Sequence, residues 1–166
     1  MTKLFQPRIW FLLVAVSCAA LLGYGLYVQH SLFLDPCPLC VFQRIAFLWI
    51  GVFALIAAIH GPGPAGRWVY TALVVLGSTF GAIVAGRHVW LQNLPADEVP
   101  ECGAGLNYML DTMPFSDVLS QVFYGSGECA QIDWTFLGLS MPTWTLAWYI
   151  GLGLVTFAVV LKQHKN

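Results

Sequence analysis

Four cysteines, two arginines and a histidine carry the chemistry in this 166-residue chain. Cys37-Pro38-Leu39-Cys40 is a CxxC, and Cys102 and Cys129 stand far downstream. A CxxC closes too small a ring to restrict the unfolded chain much, so it is a poor staple. It is a good redox switch, because its two sulfurs stay close in either state. Thiol–disulfide exchange moves two electrons when a thiolate of one pair attacks another. The bland alternative is two structural disulfides in an oxidising compartment, for which four cysteines allow three pairings. The fifth cysteine, Cys18, falls in the middle of an apolar run and reads as a small structural hydrophobe.

Pro36 and Pro38 stiffen the approach to Cys40, which is expected in the first turn of a helix. Backbone N–H groups and the helix dipole favour a thiolate there. Arg44 follows four residues later, on the same face one turn deeper, where a guanidinium would favour the thiolate further. Its competing role is snorkelling to lipid headgroups. His88 is expected at the same depth, as a hydrogen-bond donor to a ligand or as an interfacial histidine. Arg87 points roughly 100° away from it and reads as a headgroup contact. No metal site is expected. CxxC is a frequent zinc half-site, but Cys102 and Cys129 are far apart and have no close Cys or His to complete one.

The elements that position these residues follow from composition. Hydrophobic residues make up 58% of the chain and charged ones only 9%, with a mean hydropathy of +0.74. A small soluble core cannot hide that much apolar surface, and a disordered chain would lack it. The net charge is −1 with no basic block, so nucleic acid is not an expected partner. A spanning helix needs ~20 apolar residues. Stretches at about 10–28, 41–59, 68–86 and 143–161 meet that length, with loops at about 29–40 and 89–142. The first stretch is too long for a signal-peptide core and lacks a cleavage site after it. The expected fold is one all-α integral membrane domain over 1–166, an antiparallel four-helix transmembrane bundle.

Lys3, Arg8, Arg67, Lys162 and Lys165 fall on the side of the termini and the Gly61-Pro62-Gly63-Pro64 turn. By the positive-inside rule that side is cytoplasmic. The long loop has no Lys or Arg and carries Asp97, Glu98, Glu101, Asp111, Asp117, Glu128 and Asp133, and Asp35 lies in the short loop on the same face. In that loop Leu106, Met109, Leu110, Met113 and then Val118, Leu119, Val122, Phe123 recur at helical spacing. They predict short amphipathic helices, lying on the membrane surface or packed on the bundle.

Two cysteine pairs on one face of such a bundle suggest an electron relay, with a membrane quinone as the natural acceptor. The sequence resembles the DsbB family of quinone-linked disulfide bond formation proteins. The likeness rests on Gln29-His30, on Pro36-Cys37-Pro38-Leu39-Cys40 followed by Arg44, and on His88 closing the third helix. Cys102 after a proline-containing stretch, Gly127-Glu128-Cys129 and the run from Trp134 to Trp144 complete it. Gln43 departs from the pattern, standing where well-known relatives place an acid before the arginine.

The resemblance implies a multi-pass enzyme of the bacterial inner membrane, with cytoplasmic termini and periplasmic redox loops. It would reoxidise a periplasmic thioredoxin-like dithiol oxidase of the DsbA type and function as a monomer. By position it implies disulfides Cys37–Cys40 and Cys102–Cys129, the latter exchanging with the partner. Cys40 would face ubiquinone or menaquinone, with Arg44 and His88 binding it. Two other classes compete. Vitamin K epoxide reductase-like proteins share a quinone-coupled four-helix bundle, but usually carry the CxxC in a late helix. A disulfide-stapled, non-catalytic membrane adaptor would resist reduction by glutathione.

Overall fold

The computed structural model describes residues 6–33, 36–95, 97–99, 106–125, 127–132 and 134–165. Asp35, Glu101, Cys102 and Asp133 lie outside the described residues. The helices are α1 (Pro7–Leu32), α2 (Pro38–His60), α3 (Pro64–Gln92), α4 (Leu106–Thr112), α5 (Phe115–Tyr124), α6 (Gly127–Ala130) and α7 (Met141–Lys165). A hairpin of β1 (Thr135–Phe136) and β2 (Leu139–Ser140) precedes α7.

Each of α1, α2, α3 and α7 is long and apolar enough to cross a membrane. Leu12, Val16, Ile45, Leu76, Ile83 and Leu154 point outward from them while the interior is equally apolar. Helices hydrophobic all round belong in lipid. The chain is a multi-pass membrane protein.

These helices outrun their apolar windows, because backbone hydrogen bonding continues until a cap stops it. Pro7, Pro38 and Pro64 open α1, α2 and α3 at positions where a missing N–H costs nothing. Phe33 and Gly61 close α1 and α2 in the left-handed region.

Helix α1 packs on α2, α2 on α3, and α3 on α7, whereas α1 and α7 scarcely touch. The bundle is therefore split along one side. Phe11, Cys18, Phe47, Ile50, Val74, Ala85 and Tyr149 form its core. Cys18 is fully buried there as an unbonded thiol, as its apolar setting suggests. A Cβ on Gly81 would lie 2.4 Å from the Tyr149 ring, so only glycine lets α7 approach α3 this closely.

A second core caps the end of the bundle that carries the CxxC. Met109, Val118 and Val122 from α4 and α5 bury against Leu39, Val84 and Leu91, whereas Leu110 and Met113 stay exposed. Packing on the bundle thus accounts for the inward half of the loop's apolar stripe. The hairpin was not expected. Leu137 and Gly138 both take positive φ (53° and 78°), the conformation of a type I′ hairpin turn.

Candidate redox site

Cys37 is the N-cap of α2, and its sulfur accepts a hydrogen bond from the Cys40 backbone N–H at 3.3 Å. Capping normally falls to a short oxygen-bearing side chain. Here it fixes the Cys37 sulfur above the first turn that carries Cys40. The two sulfurs are 3.0 Å apart and unbonded, against ~2.05 Å for a disulfide. The partners of the bond expected between Cys37 and Cys40 are thus within reach of each other. Cys37 is buried and Cys40 half-buried.

His88 projects from α3 towards this cap, with Nε2 3.8 Å from Cys37 Sγ. Cys129, on α6, is 1% exposed, and its sulfur lies within 4.8 Å of both. Cys37 and Cys129 are thus neighbours across the loop, although nothing in their sequence spacing says so. Bonds to Cys129 and to Cys40, together with burial, push the Cys37 thiol well up from its ordinary range. Cys102 lies outside the described residues, and so does its expected bond to Cys129.

Arg87 explains how the loop reaches this point. Its guanidinium donates to the carbonyls of Phe123 (3.0 Å) and Tyr124 (2.9 Å) at the end of α5, and lies 4.1 Å from the Trp90 ring centre. Arg87, expected at the lipid headgroups, thus also holds the loop. The last carbonyls of a helix lack intrahelical partners and favour a cation. The chain then turns at Gly125, where φ is +90° and a Cβ would meet Leu91 at 2.5 Å.

Gln43 is the residue that sequence reasoning noted only as a departure. It is 5% exposed. Its Nε2 is 3.0 Å from His88 Nδ1, its Oε1 is 2.6 Å from Thr145 Oγ1, and its carbonyl accepts from Tyr149 OH at 2.6 Å. Thr145 Oγ1 also lies 2.9 Å from the Pro142 carbonyl, yet a hydroxyl has one hydrogen to give. His88 also hydrogen-bonds the Cys129 backbone carbonyl, which only accepts, so the choice of tautomer involves the loop as well. Two arrangements follow. With Thr145 donating to Gln43, the Gln43 amide donates to Nδ1 and His88 presents Nε2–H to Cys37. With Thr145 donating to Pro142, the amide turns over, Nδ1–H donates to Oε1, and Nε2 presents a lone pair. Asn and Gln flips of this kind are isosteric.

Arg44 donates to Gln29 Oε1 and to the Gly25 carbonyl on α1, and makes no hydrogen bond to Cys40. It lines a cavity of about 1240 Å³ with Cys40, Phe47, His88, Trp144 and Trp148. The cavity fills the split between α1 and α7. Trp134, Phe136 and Trp144 roof it: the first two stack at 6.1 Å, and Trp144 Nε1 donates to the Phe136 carbonyl.

The family model for "Disulfide bond formation protein DsbB" matches residues 7–159. The chain belongs to the DsbB family. Disulfide bond formation protein B of Methylococcus capsulatus is 51% identical over 148 residues, covering 89% of this chain and 90% of that one. The Hahella chejuensis protein of the same name is 49% identical, covering 95% and 96%, and that of Chromobacterium violaceum 44%, covering 94% of each. As a DsbB-family member, the chain is a membrane oxidoreductase that generates disulfides.

Proposed function

We propose that the chain reoxidises a DsbA-type thioredoxin-like oxidase and passes its electrons through two cysteine pairs to a membrane quinone, ubiquinone or menaquinone. The observation that carries this is the meeting of Cys129 with Cys37 under His88, while Cys40 opens onto the large cavity. The partner's thiolate attacks the Cys102–Cys129 disulfide and releases Cys129. The partner's second thiol displaces Cys102 and leaves with its own disulfide. Cys129 then attacks Cys37, Cys40 leaves as a thiolate, and Cys102 closes back on Cys129. Two electrons now reside on the Cys37/Cys40 pair.

His88 holds or returns the Cys37 proton through Nε2, in whichever tautomer Gln43 and the loop set. The residues fit a quinone. The cavity exceeds the ~300–1000 Å³ usual for a small ligand, is walled by aromatics and has cationic Arg44 inside. A second apolar cavity continues along the α1–α7 split past Leu13, Ser17 and Val155, a path for an isoprenoid tail. A quinone held there supplies a two-electron, two-proton acceptor.

The chain then sits in the bacterial inner membrane with cytoplasmic termini, periplasmic redox loops and a monomer sufficient for activity. Arg8, Arg67 and Lys162 at one end support that orientation. Purified protein, a soluble quinone analogue and a reduced CxxC oxidase test the proposal through quinone absorbance. Catalytic loss of the quinone band is expected, and an unchanged band would end it.

A further inference from the structure

Cys37, His88 and Cys129 place two sulfurs and an imidazole nitrogen within 4.8 Å of one another, all on buried residues. They come from the α2 cap, α3 and α6, which is why spacing alone hides them. Tetrahedral zinc, with sulfur at ~2.3 Å and nitrogen at ~2.0 Å, holds its donors roughly 3.5–3.8 Å apart. Cys37 Sγ and His88 Nε2 already stand at 3.8 Å. We propose that the fully reduced protein captures one thiophilic divalent cation, zinc or cadmium, on Cys37, His88 and Cys129.

Charge supports the site. A divalent cation with two thiolates and a neutral imidazole is neutral overall, so burying the cluster avoids the cost of an isolated charge. Capture displaces one proton from each thiol, and nothing is oxidised or reduced. The fourth position is left to water from the cavity.

A cation on Nε2 requires Gln43 to change its role towards His88. A metal-bound histidine needs an acceptor for its other N–H. Turning the Gln43 amide over supplies one at 3.0 Å, the Thr145 hydrogen then goes to Pro142, and the His88 hydrogen bond to the Cys129 backbone is given up in exchange for the cation. Redox state gates the site. Whenever Cys37 is bonded to Cys40, or Cys129 to Cys102, a ligand is missing. A cation held there also separates Cys129 from Cys37, so the relay stops whenever reduced protein accumulates without an acceptor. None of this depends on which acceptor takes the electrons.

The test uses the full chain in detergent, reduced, freed of reductant and titrated with Cd²⁺ alone. Thiolate-to-cadmium absorption and released protons are read. One ion per chain and about two protons are expected, with no binding to oxidised protein. Cys129→Ser and His88→Ala each weaken capture at least ~10-fold, and Gln43→Leu weakens it by roughly 10–100-fold. Cys40→Ser keeps it. Ordinary chelation by the CxxC gives the opposite pattern, with capture lost in Cys40→Ser and kept in Cys129→Ser and His88→Ala. That pattern overturns the proposal, as does failure of the reduced parent to bind. Helical circular dichroism identifies a misfolded variant, and Gln43→Leu then provides a separate test.

Discussion

Arg87 and Gln92 stand on the same helix and grip the loop on either side of Cys129. Arg87 takes the carbonyls of Phe123 and Tyr124 before it, and Gln92 donates to the Gln131 carbonyl after it at 3.4 Å. His88, between them on α3, meets the sulfurs. One helix end therefore sets both the imidazole and the loop thiol that faces Cys37 on the α2 cap.

Arg87→Met should loosen that grip. Hydrogen bonds to a charged group are worth ~1.5–3 kcal/mol, and partial exposure reduces the loss to about 1 kcal/mol. Stopped-flow measurement should show slower exchange between the two cysteine pairs. The quinone concentration for half-maximal rate should not move, because Arg87 lies outside the cavity wall.

Cys37 should hold its proton through neutral pH in the reduced protein. A raised thiol pKa means the neutral form is favoured below it and the thiolate appears only as pH rises through it. Iodoacetamide followed by peptide mass analysis at pH 7–8 should label Cys40 well ahead of Cys37. Cys129→Ala removes the largest cause of the upward push, so Cys37 labelling should begin at lower pH. Equal labelling of Cys37 in both proteins would contradict the assignment.

The four long apolar helices and the CxxC at a helix start were legible in the sequence. Apolar run length is a local property, and Pro38 beside Cys37 marks an N1 position. The partners of Arg87, His88 and Cys129 were not legible. Gln43 meets His88 across 45 residues and Arg87 meets Phe123 across 36, and neither pairing leaves a periodic trace. The α1–α7 split was hidden for a similar reason. Helices with apolar faces all round carry no pattern that tells a neighbour from lipid.

Arg44→Ala should raise the quinone concentration for half-maximal rate by about tenfold, or ~1.4 kcal/mol of binding. Exchange with the partner oxidase should change little, because Arg44 is tied to Gln29 and Gly25 on α1, away from the loop. An unchanged quinone dependence would return Arg44 to a snorkelling role.

The partner should attack Cys102. It sits among Pro95, Pro100, Gly103 and acids Asp97, Glu98 and Glu101, whereas Cys129 is 1% exposed beneath the loop. Cys129→Ser removes the resolving thiol, so a Cys102–partner disulfide should accumulate on non-reducing gels. An adduct that forms only in Cys102→Ser would reverse the two roles.

The hand-over from Cys129 to Cys37 is the step on which the proposed relay depends. The Cys40→Ser, Cys102→Ser double variant leaves these two thiols facing each other without their own partners. On mild oxidation, non-reducing peptide mapping should recover a Cys37–Cys129 disulfide in most of the protein. If Cys37 and Cys129 both remain alkylatable thiols, or pair only between molecules, electrons do not pass between the pairs by this route.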